Sequence, residues 1–232
     1  MNDVQVGLWT RKGLLTILLL LGQAAAIYGQ AEHPVTGRRI AGVMGIGGAN
    51  WLERSEREIE EMPETALDKI GLQKGMTVAD VGAGVGYFTV RLGRRVGPEG
   101  KVYAVDVQPE MLSILKTRAA KASLTNITTV LGTESDPKLP RDSLDLILLV
   151  DVYHEFSQPG RMLQRMREAL KKDGRLVMLE YRKEDPHIPI RSDHKMTVEE
   201  AKLELQAEGF RLENVYPDLP RQHILVFRKN PM

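Results

Sequence analysis

The chain has 232 residues, of which 42% are hydrophobic and 27% are charged, so it is long enough for one globular domain with a sizeable core. Its 32 basic and 31 acidic residues give a formal net charge of +1, which supplies no overall field to attract nucleic acid or anionic lipid. The absence of cysteine excludes disulfides, thiolate nucleophiles and thiolate zinc sites. Nucleic acid is therefore not an expected partner.

The N-terminal segment has the order of a secretory signal peptide. Arg11 and Lys12 precede an apolar run over 14–27, and small residues follow it up to Ala31. The run is shorter than the roughly 20 residues that cross a bilayer as a helix. We expect residues 1–31 to be cleaved, which predicts an exported or periplasmic protein. The alternatives are an uncleaved N-terminal anchor on the membrane, or a mis-assigned start or buried helix in a cytoplasmic protein.

Residues 32–54 are irregular and rich in glycine, which predicts an arm rather than a packed element. The main domain is expected to span 55–232. Ser55 with Glu58, and later Thr197 with Glu200, have the spacing of a capping box, in which the two side chains satisfy each other's backbone amides. A helix is therefore predicted to begin at each pair.

Short β-branched runs alternate with amphipathic helices in the main domain, as in parallel strands joined by helical crossovers. The last two apolar segments are too close together for such a crossover, which predicts an antiparallel hairpin at the sheet edge. The sequence thus predicts a doubly wound α/β fold that ends in a reversed strand. Its predicted strands are 77–81, 101–105, 127–131, 144–150, 175–179, 211–216 and 224–228.

A glycine-rich turn follows the first strand in the segment VADVGAGVGYF. Gly82, Gly84 and Gly86 permit sharp turning of the backbone and close approach of a ligand. Asp106 ends the second strand about 20 residues later, where a carboxylate can accept hydrogen bonds from both hydroxyls of a ribose. Because ligands of open α/β sheets lie at the carboxyl ends of the strands, we expect a cofactor that contains a nucleoside.

Two features argue against a dinucleotide. Tyr87 stands where the G-x-G-x-x-G pattern of dinucleotide-binding proteins requires its third glycine. Asp80 precedes the turn, and its carboxylate would repel a pyrophosphate but could hold an ammonium group. The pattern favours a cationic amino-acid nucleoside. An NAD(P)-dependent oxidoreductase and a non-catalytic nucleoside-binding protein of the same fold remain the alternatives.

At these residues the chain resembles the class I S-adenosylmethionine-dependent methyltransferases, from about residue 56 to the C-terminus. The resemblance is carried by four segments in register, VADVGAGVG, YAVDVQPEM, LDLILLVDVYHEF and LKKDGRLVMLE. It implies a Rossmann-like seven-stranded sheet of order 3-2-1-4-5-7-6 with strand 7 antiparallel. It also implies S-adenosylmethionine as the cofactor and in-line methyl transfer to a small-molecule acceptor, as in the quinone-biosynthesis-like branch.

The resemblance assigns roles residue by residue. Asp106 would bind the ribose hydroxyls, and Val107 and Met111 would flank the adenine. Thr133 departs from the Gly-Asp-Ala pattern of many relatives, so the contact to the adenine amine would fall to Glu134. The full set of implied cofactor contacts is Asp80, Gly82, Ala83, Gly84, Gly86, Tyr87, Asp106, Val107, Met111, Thr133, Glu134 and Asp151.

The candidate catalytic residues follow the fourth strand. Asp151 would lie above the transferred methyl group, and Tyr153 is a further candidate. His154 could accept a proton from a hydroxyl as it is methylated, since its ordinary pKa of about 6.5 suits that task; the alternative is a histidine that only caps the turn. Trp51 and Leu52 stand where many relatives carry a lid over the cofactor; the alternative is simple packing on the body. We expect no metal, because no cysteine and no i, i+4 histidine pair is present. The sequence does not indicate an oligomeric state.

Overall fold

Strands and helices alternate from Thr77 onward in the computed structural model, which describes residues 31–230 of the chain. The expected signal segment, up to residue 30, lies outside the described residues. Within them, no helix has the length and hydropathy to cross a membrane. The strands are β1 (Thr77–Val81), β2 (Lys101–Asp106), β3 (Ile127–Leu131), β4 (Leu144–Val150), β5 (Leu170–Tyr181), β6 (Phe210–Tyr216) and β7 (Gln222–Lys229).

The seven strands form one sheet in the order β3-β2-β1-β4-β5-β7-β6. Strands β1 to β5 pair in parallel, and β7 runs antiparallel to both β5 and β6. The final hairpin is antiparallel because only five residues separate β6 from β7, which is too short for a helical crossover. The predicted fold class, strand order and reversed strand are confirmed.

Helices cover the sheet, and three of them begin with proline, whose fixed φ suits the first helical position. Strand β4 is buried on both faces: Leu146 and Leu148 contribute to one hydrophobic cluster, and Ile147 and Leu149 to the other. Its continuous apolar sequence reflects that central position. The helices are α1 (Ala49–Leu52), α2 (Arg57–Glu60), α3 (Pro63–Lys69), α4 (Tyr87–Val96), α5 (Pro109–Lys121), α6 (Pro159–Ala169) and α7 (Val198–Ala207).

The two predicted capping boxes have different outcomes. At the start of α7, Thr197 Oγ1 accepts from the Glu200 amide at 2.9 Å, and the Glu200 carboxylate accepts from the Thr197 amide at 2.9 Å. The prediction of a capping box at Ser55 is wrong, because helix α2 begins two residues later and has no side-chain cap. Glu58 instead accepts a hydrogen bond from the Tyr87 hydroxyl of α4 at 2.5 Å.

Strand β5 is longer than predicted and contains an irregularity. Leu144 pairs with Leu170, whereas Leu146 pairs with Arg175, so β5 has extra residues between these two points. The residues around Gly174 form this bulge, and regular pairing with β4 resumes at Arg175 and continues to Leu179. A Cβ at Gly174 would lie 2.7 Å from the Leu144 carbonyl oxygen, so glycine allows the close approach.

Part of the expected arm packs against the body, contrary to prediction. His33 and Arg38 are buried. Arg38 donates to the Glu204 carboxylate at 2.8 Å and to the His154 carbonyl at 3.2 Å, and the Ala41 amide donates to the same carbonyl at 3.0 Å. Glu204 is fully buried, so the ion pair offsets the cost of placing both charges inside the protein. The arm therefore contacts the backbone of a predicted site residue.

Candidate functional site

A cavity of about 380 Å³ opens at the carboxyl ends of β1, β2 and β4. This is the expected position, because the strand order reverses between β1 and β4, and open α/β sheets bind their ligands at that switch point. The structure brings nine of the predicted site residues together in its lining: Gly82, Gly84, Asp106, Val107, Met111, Thr133, Glu134, Asp151 and His154.

The glycine turn forms one side of the cavity. Gly82 and Gly84 have φ values of +78° and +51°, a region that residues with a side chain rarely adopt. A Cβ on Gly82 would overlap the Val152 side chain, and one on Gly84 would lie 2.9 Å from Leu52 Cδ1. Glycine is therefore required here both by the backbone conformation and by the protein's own packing around the turn.

Asp106 is held rigidly at the tip of β2. Its Oδ2 accepts from the Gly84 amide at 2.8 Å, and its Oδ1 accepts from the Gln108 amide at 2.9 Å. Burial raises the pKa of Asp106, while the backbone hydrogen bonds oppose that rise. The carboxylate thus lines the cavity in a fixed orientation and keeps lone pairs for a ligand's hydroxyls.

Asp80 lies behind the turn, outside the lining of the cavity. It is 2% exposed, and its Oδ2 accepts from Thr89 Oγ1 at 2.5 Å. Burial raises the pKa of Asp80 to about 6, and the nearby charge of Asp106 contributes to the rise. In this placement Asp80 supports the turn from behind, and any contact to a cofactor stays a prediction.

Three more predicted cofactor residues also lie outside the lining. Ala83 packs in a small core cluster with Leu115. Gly86, with φ +86°, is backed by the same leucine, since a Cβ there would lie 2.7 Å from Leu115 Cγ. Tyr87 points away from the cavity because its hydroxyl donates to Glu58. All three pack around the turn, and their contacts to a cofactor stay predictions.

Asp151 follows β4 in the left-handed conformation, with φ +49°. Its Oδ2 accepts from Gln222 Nε2 at 2.7 Å, and its Oδ1 is buried without a hydrogen-bond partner among residues 31–230. Burial raises the pKa of Asp151 well above its usual range, and the neighbouring Glu61 and Glu180 carboxylates raise it further. An unpaired acceptor among acidic groups suits a positively charged ligand.

His154 also lines the cavity, with both ring nitrogens engaged. Nδ1 lies 2.7 Å from Glu180 Oε2, and Nε2 lies 3.1 Å from His194 Nδ1. Burial by itself lowers the pKa of His154, but the charge and hydrogen bond of Glu180 outweigh it and raise the pKa overall. An acceptor hydroxyl could therefore reach Nε2 only by displacing His194.

The prediction of Tyr153 as a catalytic residue is corrected by its placement. Its side chain is fully buried, and its hydroxyl lies 3.3 Å from His33 Nε2 in the packed part of the arm. Residues 153–155 form a 3-10 helix, so consecutive side chains point in different directions. Tyr153 therefore turns away from the cavity that His154 and Glu155 line.

The segment expected to be a lid lines the cavity, although this does not test whether it moves. Trp51 and Leu52 belong to α1, and the Arg54 guanidinium lies 3.8 Å from the centre of the Trp51 ring. Arg54 also donates to Glu61 at 2.8 Å, and Glu61 accepts from the Tyr181 hydroxyl at 2.9 Å. These contacts join the lid segment to the end of β5.

The sequence marks Glu180 and His194 only as polar residues at the tip of the fifth strand and in a later loop, with no partner for either. In the structure His194 lines the cavity beside His154, whereas the His187 side chain is 92% exposed. His154 and His194 are forty positions apart, and the sequence carries no local signal of their contact. A signal existed for Glu180, since a carboxylate at the end of the apolar strand β5 must find a partner.

The residues expected to contact the adenine offer fewer free polar groups than those near Asp106. Val107 is 41% exposed and Met111 is buried, so together they offer an apolar edge. Thr133 is held by a backbone hydrogen bond to Asp136, and the Glu134 carboxylate accepts from Ser157 Oγ at 2.9 Å. The adenine contact of Glu134 stays a prediction. The cavity nevertheless fits a cationic nucleoside, with oriented Asp106 near one end and the unpaired Asp151 oxygen in its wall.

Comparisons with known proteins agree with this fit. A family model described as "Methyltransferase domain" matches residues 72–217. The "Ubiquinone/menaquinone biosynthesis C-methyltransferase UbiE" of Hahella chejuensis (strain KCTC 2396) is 30% identical over 118 residues, 50% of this chain and 47% of that protein. The "Demethylmenaquinone methyltransferase" of Geobacillus sp. (strain WCH70) is 26% identical over 117 residues, half of each chain. The chain thus spans about half the length of the curated relatives it matches.

A solved structure extends the similarity over most of the chain. It is a SAM-dependent methyltransferase from Aquifex aeolicus, with a TM-score of 0.76 and 28% identity, and the match covers 80% of this chain and 98% of that one. The family model alone matches more than half of the residues. The expected resemblance and cofactor are confirmed, and the chain belongs to the methyltransferase-domain family of S-adenosylmethionine-dependent enzymes.

Proposed function

We propose that the protein transfers a methyl group from S-adenosylmethionine to a small-molecule acceptor bound in the described cavity. The observation that carries the proposal is the position of Asp106 and Asp151 in one lining, the first oriented by backbone amides and the second with a buried, unpaired oxygen. When bound, the cofactor supplies a methyl group attached to a positively charged sulfur.

The residues of the lining divide into two walls. We call Gly82, Gly84, Asp106, Val107 and Met111 the cofactor wall, and propose that Asp106 binds the ribose hydroxyls while the apolar pair contacts the adenine. Val107 and Met111 can make that contact without polar groups of their own. The rigid Asp106 carboxylate fixes the orientation of the nucleoside, which is a large part of what methyl transfer requires of an enzyme.

We call Asp151, His154, Glu155 and His194 the acceptor wall. We propose that Asp151 and His154 lie beside the transferred methyl group. The lid segment with Trp51 excludes water from the space between the two walls, and the displacement itself needs little acid–base chemistry.

A small molecule is the proposed acceptor. The cavity volume of about 380 Å³ is in the range of ligand-binding clefts, and apolar residues such as Phe156 and Ile190 belong to its lining. The curated relatives bear names from quinone biosynthesis, which supports an acceptor with an apolar, ring-containing body.

Calorimetric titration of the purified chain tests the cofactor. We expect S-adenosylmethionine and S-adenosylhomocysteine to bind and NADH not to bind, because Tyr87 takes the place of the third glycine of the dinucleotide-binding pattern. Tighter binding of NADH would contradict the proposal. Incubation with methyl-labelled cofactor and a panel of hydroquinones and phenols tests turnover. Cofactor binding without labelled product from any acceptor would favour the non-catalytic alternative.

We also propose that residues 1–31 form a cleaved export signal, on the strength of the basic, apolar and small-residue order in the sequence. An intact mass of the protein from the native host that begins at Glu32 is the expected result. A mass that includes the apolar run would instead support the membrane anchor.

A further inference from the structure

Three metal-ligating side chains converge in the acceptor wall. His154 and Glu155 come from the 3-10 helix after β4, and His194 comes from the 3-10 helix Ser192–His194. One ligand atom from each lies within 4.8 Å of the other two. We propose that these three side chains bind a single divalent transition-metal ion in the wall of the cavity.

The separation of the two imidazoles matches shared coordination. His154 Nε2 lies 3.1 Å from His194 Nδ1. Two nitrogens bound to one metal at about 2.0–2.1 Å, with an angle between roughly 90° and 109°, lie about 2.8–3.4 Å apart. Glu155 Oε1 lies 4.0 Å from His194 Nδ1, and all three ligand atoms lie within 4.8 Å of one another, so a carboxylate shift of about 1–2 Å would complete the set.

A buried carboxylate orients one of the proposed ligands. Glu180 is fully buried, and its Oε2 lies 2.7 Å from His154 Nδ1. A proton held between these two atoms leaves the Nε2 lone pair directed at His194 and the cavity. Metal-binding histidines commonly have such a carboxylate partner on their second nitrogen. The simpler alternative is a plain hydrogen bond between the two imidazoles.

The donor set indicates the class of metal. Two imidazoles and one carboxylate suit Zn²⁺, Fe²⁺, Co²⁺, Mn²⁺ or Ni²⁺, and an ion held by only three protein ligands keeps open coordination positions. All three side chains line the cavity, so those positions face it. One consequence rests on the proposed function: the acceptor would carry an oxygen, such as a phenol, enol or carboxylate, that the ion binds and whose anionic form it stabilises.

The site is tested by titrating the metal-stripped full chain with Co²⁺, whose visible absorption bands report binding. The protein is purified without a histidine tag. We expect one Co²⁺ per chain, with binding weakened by at least about tenfold in His194→Ala and in the isosteric Glu155→Gln. Glu180→Gln, which removes the orienting carboxylate, is expected to cost about 10–100-fold. The matched control is His187→Ala, which changes an exposed histidine of the same connecting segment and should leave the bands unchanged.

The outcomes separate the two proposals. Absence of Co²⁺ bands in the wild type, or equal Co²⁺ affinity of the wild type and both ligand variants, overturns the metal site. If S-adenosylmethionine still binds in that case, the proposed function stands. If Co²⁺ binds as expected but S-adenosylmethionine does not bind, the metal site stands and the proposed function is overturned. Circular dichroism identifies any variant that has failed to fold, and Glu155→Gln, which keeps the shape of the side chain, then provides the decisive comparison.

Discussion

The cofactor wall and the acceptor wall face the same cavity but are built in different ways. The cofactor wall depends on the backbone: a left-handed turn at Gly82 and Gly84 supplies the amide that fixes Asp106. The acceptor wall depends on side chains from distant segments, with His154 and His194 forty residues apart and Glu180 behind them. A ligand surface made of consecutive residues can be recognised in a sequence, whereas one assembled by tertiary contacts becomes visible only in the fold.

The largest expected effect is on the glycine turn. Gly82→Ala should lower the free energy of unfolding by about 2–5 kcal/mol, because a left-handed conformation costs about 1–2 kcal/mol and overpacking against Val152 costs about 1–3 kcal/mol more. Gly75→Ala is the matched control, since Gly75 has φ +81° and open space around its missing Cβ. Denaturant unfolding measures both variants. Equal losses would show that packing around the turn contributes nothing.

The next effect is a pH dependence of stability that arises behind the same turn. The pKa of Asp80 is raised to about 6 by burial, so the folded protein holds a proton that the unfolded chain releases near pH 3.8. The stabilisation of the fold by this bound proton is complete below pH 3.8 and is lost as the pH rises through about 6. Relative to Asp80→Asn, the wild type should lose about 3 kcal/mol over that interval.

Urea unfolding at several pH values measures this difference. Asp173→Asn supplies the matched control, because a substitution at this exposed position should change the free energy of unfolding by less than about 0.5 kcal/mol. A wild-type curve parallel to that of Asp80→Asn would show that Asp80 does not titrate as its burial implies.

A smaller effect is expected on ligand binding at the cofactor wall. Asp106→Ala should weaken S-adenosylmethionine binding by about 1.5–3 kcal/mol, the range for hydrogen bonds to a charged group. Calorimetry measures the change, and Asp142→Ala, at an exposed aspartate outside the cavity lining, is the control. An unchanged affinity in Asp106→Ala would remove that carboxylate from the binding site.

The smallest effect concerns the support of the acceptor wall. Thr197→Ala should lower the free energy of unfolding by about 1 kcal/mol, since Thr197 caps the helix that follows the His194 segment. Ser55→Ala should change it by less than about 0.5 kcal/mol, because Ser55 forms no such cap. Thermal and denaturant unfolding distinguish the two. Equal losses would mean that the observed capping box does not stabilise α7.

The parts that could be predicted from sequence are those fixed by local patterns. Alternating strands and helices gave the fold class, the short connection before β7 gave the reversed hairpin, and the glycine spacing located the turn beside Asp106. Each of these signals lies within about 30 residues of sequence, which is the size of a βαβ unit.

The parts that could not be predicted depend on where side chains point after the backbone bends. Asp151, Tyr153 and His154 are neighbours in sequence, yet they contact β7, the arm and Glu180 respectively. Burial of the arm depends on an ion pair between Arg38 and Glu204, 166 residues apart. No periodicity in the sequence encodes a contact of that kind.

The contact between the arm and the His154 carbonyl has a practical consequence for choosing the boundaries of a shortened protein. The recognisable family segment, 72–217, contains the glycine turn, Asp106 and all four residues of the acceptor wall. It omits Arg38 and Ala41, which hold the His154 backbone, and Gln222, which holds Asp151. A fragment trimmed to that segment would keep the cofactor wall and the acceptor wall, but it would lose the lid segment and the contacts that set the positions of Asp151 and His154. A shortened protein should therefore begin before Arg38 and extend beyond Gln222, well outside the family segment 72–217.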